Sequence, residues 1–211
     1  VRRVKFVAPV FMPGGVVVYN FSPDSRGLCY ASNHTLHQEA NTNCDLWTVP
    51  VTGGEALNIT AENEAWDGSP VYSPDGRYIA YRMQTVPGYE SDRFRLAIYD
   101  RQTKQKTVLT EDFDNWVDDY KWSKNSRTIY FLGEETGYQP LFKLDVKSHK
   151  ITKVIADRAI SAFDIDDAGT AYYTYSTTGK PTALYRQSTG KKQTEQQLTF
   201  LNKDLEAEVD I

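Results

Sequence analysis

The sequence predicts an all-β protein made of about four small sheets, each with four short strands. Three observations predict it. First, a strand–turn–strand phrase recurs. It is clearest at Trp66-Asp67-Gly68-Ser69-Pro70-Val71-Tyr72-Ser73-Pro74-Asp75-Gly76-Arg77-Tyr78-Ile79-Ala80-Tyr81. There Pro74 presets φ, Asp75 bonds its own backbone and Gly76 tolerates φ > 0. Weaker copies occupy Tyr19 to Tyr30, Tyr120 to Phe131 and Phe163 to Tyr173. Second, the turn residues Asp24, Asp75, Asn125 and Asp167 stand 51, 50 and 42 residues apart. Third, every copy is followed by a second hairpin, so each period holds four strands. A period of about 40–50 residues with four strands is the signature of a β-propeller blade. A stack of independent hairpins is the alternative, but the hairpins keep their order and phase through all four copies.

The elements follow in order. Val4 to Val10 reads as the outer strand of a preceding blade or as a connector. Met12-Pro13-Gly14-Gly15 turns into Val16-Val17-Val18-Tyr19, an innermost strand. The blades are expected at about 15–60, 61–112, 113–157 and 158–201, with 202–211 as the start of a linker. The second hairpins are Asp45 to Val51 with Gly53-Gly54, Leu96 to Asp100 with Thr103-Lys104, Leu141 to Asp145 with Lys147-Ser148, and Ala183 to Arg186 with Thr189-Gly190. Three of them run into Ile59-Thr60, Leu109-Thr110 or Leu198-Thr199, whereas the third closes on Val154-Ile155. Polar loops at Asn33 to Asn43, Gln84 to Arg95, Gly133 to Gln139 and Ser176 to Pro181 fall at the same place in each blade and are expected on one face. Such faces are where propellers meet partners.

The totals bound the function. At 211 residues the chain can bury a sizeable core. Propellers close with about four to eight blades, so four blades are expected to be part of a larger ring. The opening Val1-Arg2-Arg3, with no initiator Met or signal peptide, points the same way. Twenty-eight acidic against 24 basic residues, net −4, argue against nucleic acid, which needs a basic face. No apolar run approaches the ~20 residues of a membrane helix. The 14 Tyr, 9 Phe and 4 Trp suit stacked, twisted sheets. The expected register does not put Cys29 opposite Cys44, which disfavours a disulfide. Asn33-His34-Thr35 and Asn58-Ile59-Thr60 match the glycan acceptor pattern, which matters only in a secreted eukaryotic protein.

At this point the residues resemble a known family. Ser73-Pro74-Asp75-Gly76, the strand Asp45-Leu46-Trp47-Thr48-Val49-Pro50 with Gly53-Gly54 after it, and the Leu-Thr closes look like a WD40-like propeller of the PD40 type. Thr42 to Pro50, and the tail Leu198 to Val209, resemble the prolyl oligopeptidase family of serine peptidases, in its dipeptidyl-peptidase 5 and acylaminoacyl-peptidase branch. Ser123-Lys124-Asn125-Ser126 and Asp166-Asp167-Ala168-Gly169 depart from the pattern. The resemblance implies the last four blades of a seven- or eight-bladed ring, whose partners are a peptide substrate and a C-terminal α/β-hydrolase domain of the same polypeptide. The family's catalytic Ser, Asp and His are then expected beyond Ile211. Branches of the family are exported as well as cytosolic, and export is the preferred expectation.

The chain's own chemistry agrees. It has no Gly-x-Ser-x-Gly elbow and only three histidines. His34 and His37 lie in a polar loop and His149 in a hairpin turn. His34-x-x-His37-x-Glu39 reads as a solvated loop rather than a metal site. Asp164-x-Asp166-Asp167 lacks the spacing of a calcium loop and reads as a turn. No catalytic residue, metal or cofactor is therefore expected. The candidates for substrate binding are Trp66, Asp67, Trp116, Asp118 and Asp119, just before or at the start of innermost strands. On the functional reading they form a channel mouth or domain-facing surface. Asp67, Asp118 and Asp119 would be exposed carboxylates attracting a peptide's α-ammonium. The alternative is that each tryptophan wedges between blades as core. The rival functions are a TolB-like scaffold that binds a protein on its loop face and, last, a carbohydrate- or metal-dependent propeller enzyme. The faces of the first and last blades of an open ring are expected to drive dimerisation or swapping of the isolated chain.

Overall fold

The structure is a computed structural model that describes residues 19–190 and 194–208. The readings at Val4 to Val10, at Met12 to Val18 and at the end of the tail lie outside the described residues. Within them are four antiparallel sheets, each with its strands in chain order. The first holds β1 (Tyr19–Phe21), β2 (Gly27–Ser32), β3 (Asp45–Pro50) and β4 (Leu57–Asn58), and the second β5 (Asp67–Tyr72), β6 (Tyr78–Met83), β7 (Arg95–Asp100) and β8 (Lys106–Val108). The third holds β9 (Val117–Trp122), β10 (Thr128–Gly133), β11 (Leu141–Asp145) and β12 (Ile151–Ile155), and the fourth β13 (Ile160–Ile165), β14 (Thr170–Thr177), β15 (Lys180–Ser188) and β16 (Gln196–Gln197). A short helix α1 (Lys203–Glu208) follows. The chain divides into two compact units, Val1–Asp114 with the first two sheets and Asn115–Ile211 with the last two. All-β architecture of four four-stranded sheets is as the repeat predicted.

The repeated phrase has a repeated mechanism. In the first three copies a serine hydroxyl accepts from the backbone five residues on, in Gly27, Tyr78 and Thr128, at 2.8, 2.9 and 3.1 Å. The same hydroxyl donates to Asp24, Asp75 or Asn125, whose Oδ1 accepts the amide of Arg26, Arg77 or Arg127. The fourth copy is one residue shorter. There Asp166, not the expected Asp167, caps the turn, accepting from the Ala168 and Thr170 amides at 2.9 and 2.8 Å. In every copy the residue closing the turn has φ > 0: Ser25, Gly76, Ser126 and Gly169.

The Leu-Thr closes also have a job. Thr60, Thr110 and Thr199 each accept, through Oγ1, the backbone N–H of a leucine in the third strand (Leu46, Leu96, Leu184), all at 2.9 Å. The preceding Ile59, Leu109 and Leu198 donate back to the same leucine's carbonyl. In the third sheet β12 keeps pairing to its end, with Leu141 opposite Ile155, so no threonine is needed. One expected loop is absent. Ser176 to Pro181 is a tight turn, because β14 and β15 run on until Thr177 faces Lys180, with Pro181 at the register shift that follows.

Consecutive sheets within a unit are joined by one parallel bridge, Cys44 to Trp66 in the first and Gln139 to Ala159 in the second. The core of the first unit fills the space between its sheets with Cys29, Ala31, Leu46, Ile59, Tyr72, Ile79 and Tyr81. Cys29 and Cys44 are buried free thiols, and burial pushes both well above the ordinary thiol range.

Candidate functional site

The first pair of candidates lies at the start of β5. The parallel bridge draws it under the seam between the first two sheets, with the Asp67 amide donating to the Cys44 carbonyl at 2.7 Å. Trp66 is 6% exposed and belongs to the core. It meets Phe94 edge-on at 5.1 Å and lies so close over Gly68 that a Cβ there would stand 2.2 Å from the indole. Trp66 thus packs as core between the first two sheets. Asp67 is 1% exposed, which corrects the expectation of an exposed carboxylate. Its cross-strand partner is Met83, which packs against the core, so Asp67 shares that face. Its Oδ1 accepts from Asn63 Nδ2 at 2.9 Å, and Oδ2 has no hydrogen-bond partner among the described residues. Burial lifts its pKa to about 8, against the neighbouring Asn63 amide and Thr60 hydroxyl and with the charges of Asp45 and Glu62 adding to the rise. At neutral pH this carboxyl is mostly a neutral acid and attracts no ammonium by charge.

The other candidates open to solvent. Trp116 is 39% exposed, and Asp118 and Asp119 are both exposed at a bulge in β9, where two residues oppose one on β10. The bulge explains why neighbouring side chains can both face water. Asp119 accepts the next amide, that of Tyr120, at 2.9 Å. Asp118 Oδ2 accepts from Gln139 Nε2 at 2.7 Å. Gln139 also anchors the bridge between sheets, its backbone N–H donating to Arg158 at 2.9 Å.

Beside Asp118 a groove of about 580 Å³ runs along the β10–β11 loop, lined by Asn115, Glu134, Glu135, Tyr138 and Gln139 among others. Sequence reading did not single these residues out. The loop is a two-residue hairpin in which Glu135 and Tyr138 exchange backbone bonds at 3.0 and 2.9 Å. Thr136 and Gly137 both take φ > 0, the geometry that hairpin turns favour. The Thr-Gly pair inside Gly133 to Gln139 was the available signal. Glu135 pairs with Lys153, and Tyr138 is largely exposed. The arrangement is an acidic groove with one aromatic wall, suited to a cationic or hydrogen-bond-donating group.

The histidines occupy other places. His34 stacks on Trp47 at 3.9 Å and burial lowers its pKa. His37 pairs with Glu39 at 3.6 Å, and His149 fills a φ > 0 turn position. Asn33 of the first glycan pattern is buried, its amide nitrogen donating to Asn41 at 3.0 Å. Among the described residues no group of three His, Cys, Asp or Glu is placed to hold a metal ion.

No protein-family model matches the chain. Among curated proteins it is 32% identical to dipeptidyl-peptidase 5 of Porphyromonas gingivalis over 71% of its length. It is also 32% identical to dipeptidyl-peptidase 5 of Arthroderma otae over 77%. These alignments take in 22% and 24% of the relatives, so the chain spans about a quarter of their length. Among solved structures, uncomplexed acylaminoacyl peptidase of Pyrococcus horikoshii superposes with TM-score 0.67 at 20% identity, over 88% of this chain and 28% of that one. A TolB protein of Agrobacterium tumefaciens gives 0.63 at 17%, over 84% and 63%. The β-propeller domain of the Trilobed protease of Pyrococcus furiosus gives 0.61 at 21%, over 83% and 49%. At these identities the superpositions establish the β-propeller fold, and the closer sequence likeness to the curated dipeptidyl-peptidases establishes kinship. The chain belongs to the prolyl oligopeptidase family of serine peptidases, with propeller sequence akin to its dipeptidyl-peptidases 5.

Proposed function

We propose that this chain is the non-catalytic, substrate-gating propeller portion of a serine exopeptidase that removes dipeptides or acylated residues from peptide N-termini. The observation that carries this reading is the 32% identity to dipeptidyl-peptidases 5 over about three quarters of the chain. Blades beside an α/β-hydrolase domain admit short or terminal peptide segments and exclude folded protein. Within this reading Asp118, with Asp119 and Trp116 beside it, faces the incoming peptide, and the acidic groove next to Asp118 favours a free α-ammonium. Trp66 and Asp67 hold the seam between the first two sheets within the first unit and act on substrate only through packing.

The test uses the complete enzyme. Asp118→Lys is expected to raise KM for amino-terminal dipeptide substrates several-fold, with kcat little changed, because a binding interaction made equally in ground and transition states is removed. An unchanged KM removes the subsite and leaves the gating role to be judged separately. The 211-residue chain itself is expected to take no label from a serine-hydrolase fluorophosphonate. A second reading, a TolB-like scaffold, is favoured by the TolB superposition and by exposed Leu36, Val86 and Tyr89 on the loops of the first unit. Peptide sequencing of the native product past Ile211 separates the two. Gly-x-Ser-x-Gly, then Asp and His, supports the peptidase, and a chain ending there supports the scaffold.

A further inference from the structure

The first unit holds a second opening, between the first two sheets at the end opposite their long loops. It measures about 330 Å³, at the small end of the range of about 300–1,000 Å³ that ligand pockets span. Its floor is apolar and buried: Ile59 from the first sheet, with Tyr72, Ile79 and Tyr99 from the second. Its rim carries three cations, Arg26 on the β1–β2 turn and Arg101 and Lys104 on the β7–β8 turn, and one carboxylate, Glu55. Two of the cations stand over the floor itself. The Arg101 guanidinium lies 5.2 Å from the centre of Tyr72, and the Lys104 ammonium 5.9 Å from that of Tyr99.

Two acids lie nearby, Asp24, whose charge acts on Arg101 and Arg26, and Asp100, which is paired with Arg77. Asp24 accepts from the Ser22 hydroxyl at 2.6 Å and the Arg26 amide at 3.1 Å. Asp100 is bound by the Arg77 guanidinium at 2.8 Å and by the Gln102 and Thr103 amides. Arg101 itself bonds a neutral carbonyl, that of Gly76, at 2.5 Å. An apolar floor under a rim of three cations, set against Glu55 and the nearby Asp24 and so still net positive, suits one ligand class: a small molecule with an apolar or aromatic body and a single carboxylate. Burying the body gains on the order of 25 cal/mol per Å², and an arginine can take the carboxylate by two parallel bonds.

We propose that this groove binds such apolar carboxylates, whether a free small acid or the C-terminal residue of a peptide. The proposal does not depend on the peptidase reading, since the groove lies wholly in the first unit and shares no residue with the Asp118 site. The test titrates the 211-residue chain with N-acetylphenylalanine, its amide, inorganic phosphate and a tetrapeptide ending in phenylalanine, followed by amide chemical shifts. The acid is expected to bind about tenfold more tightly than the amide, as one charge-assisted bond requires, and to shift residues around Tyr72 and Tyr99. Arg26→Glu should erase that preference. Lys104→Gly should weaken binding while keeping the fold, because Lys104 sits at φ +64° where glycine is at ease. Equal binding of acid and amide, equal binding of phosphate, shifts elsewhere, or no binding at millimolar ligand would each overturn the proposal. The tetrapeptide decides the source. Tighter binding than the single residue means a peptide C-terminus, and exclusion means a free acid.

Discussion

Asp24, Asp75, Asn125 and Asp166 carry out one task, holding the amide two residues on through a single carbonyl or carboxylate oxygen. The Ser-Pro-Asp-Gly phrase made this legible for the first three. It misassigned the fourth by one residue, because a turn shortened by one lets a single aspartate replace both the serine and the acid. At the position that closes these turns Ser25 is exposed and takes φ +58°. Ser25→Gly is expected to stabilise the fold by about 0.5–1 kcal/mol, seen as a higher midpoint in urea, since only glycine adopts that backbone without strain. Asp67 makes the opposite kind of prediction. Its folded pKa, about 8, stands above its ordinary 3.8, so between those values the folded state holds a proton that the unfolded state has released. Stability attributable to this carboxyl therefore falls as pH rises from about 4 to about 8, on the order of 5 kcal/mol across the window. Asp67→Asn, which mimics the protonated form, should flatten that slope and raise the melting temperature at pH 8. An equal slope in wild type and variant would show that Asp67 ionises freely.

At the scale of elements, the Leu-Thr closes show how far a motif can be seen without its purpose. The sequence displays them at three of four repeats, but the bond each threonine makes is to a leucine 14 or 15 residues earlier. Such a pairing exists only once the third and fourth strands lie side by side. Thr110→Val keeps the shape and removes the acceptor, leaving the buried Leu96 amide unpaired. The expected cost is about 1–3 kcal/mol, with the Leu96 amide exchanging faster than its neighbours in β7. Protection as in wild type would mean another acceptor takes over. The loop expected at Ser176 to Pro181 failed for a related reason. Ser and Thr read as loop formers, yet cross-strand pairing carried them into long strands. The candidate site divides in the same way. Asp118 and Asp119 were legible as carboxylates at a strand start, whereas Glu134, Glu135 and Tyr138 enter only because Gln139 ties their hairpin to Asp118.

At the scale of the whole molecule, the first sheet presents a partly exposed face of aromatic and aliphatic side chains that, among the described residues of its unit, has no exposed counterpart on the second sheet. Cross-strand pairing puts Tyr19 beside Tyr30 and Trp47, and Phe21 beside Leu28 and Val49. Tyr19 and Phe21 are each 54% exposed. Aligned on their turn serines, Ser22 and Ser73, the matching residues of the second sheet are Tyr72, Ile79, Tyr81, Ala97 and Tyr99, all buried in the core that the first sheet's other face completes. An aromatic face of this extent favours association. The isolated chain is expected to dimerise in sedimentation velocity at micromolar concentration, and Phe21→Lys to restore a monomer. A concentration-independent monomer would show that the face is tolerated bare.

Much was fixed by sequence alone. The strand count, the turns, the repeat order and the family kinship are local or periodic properties, written in residues a few positions apart. Pro and Gly set φ, Asp and Ser bond nearby amides, and β-formers alternate between them. The tertiary structure decided burial and company. Asp67 and Asp118 look alike in the chain, each following or nearly following a tryptophan at a strand start. The Cys44–Trp66 bridge buries the first, and the β9 bulge exposes the second. A carboxyl's charge depends on the dielectric and partners around it, and those are supplied by strands tens of residues away.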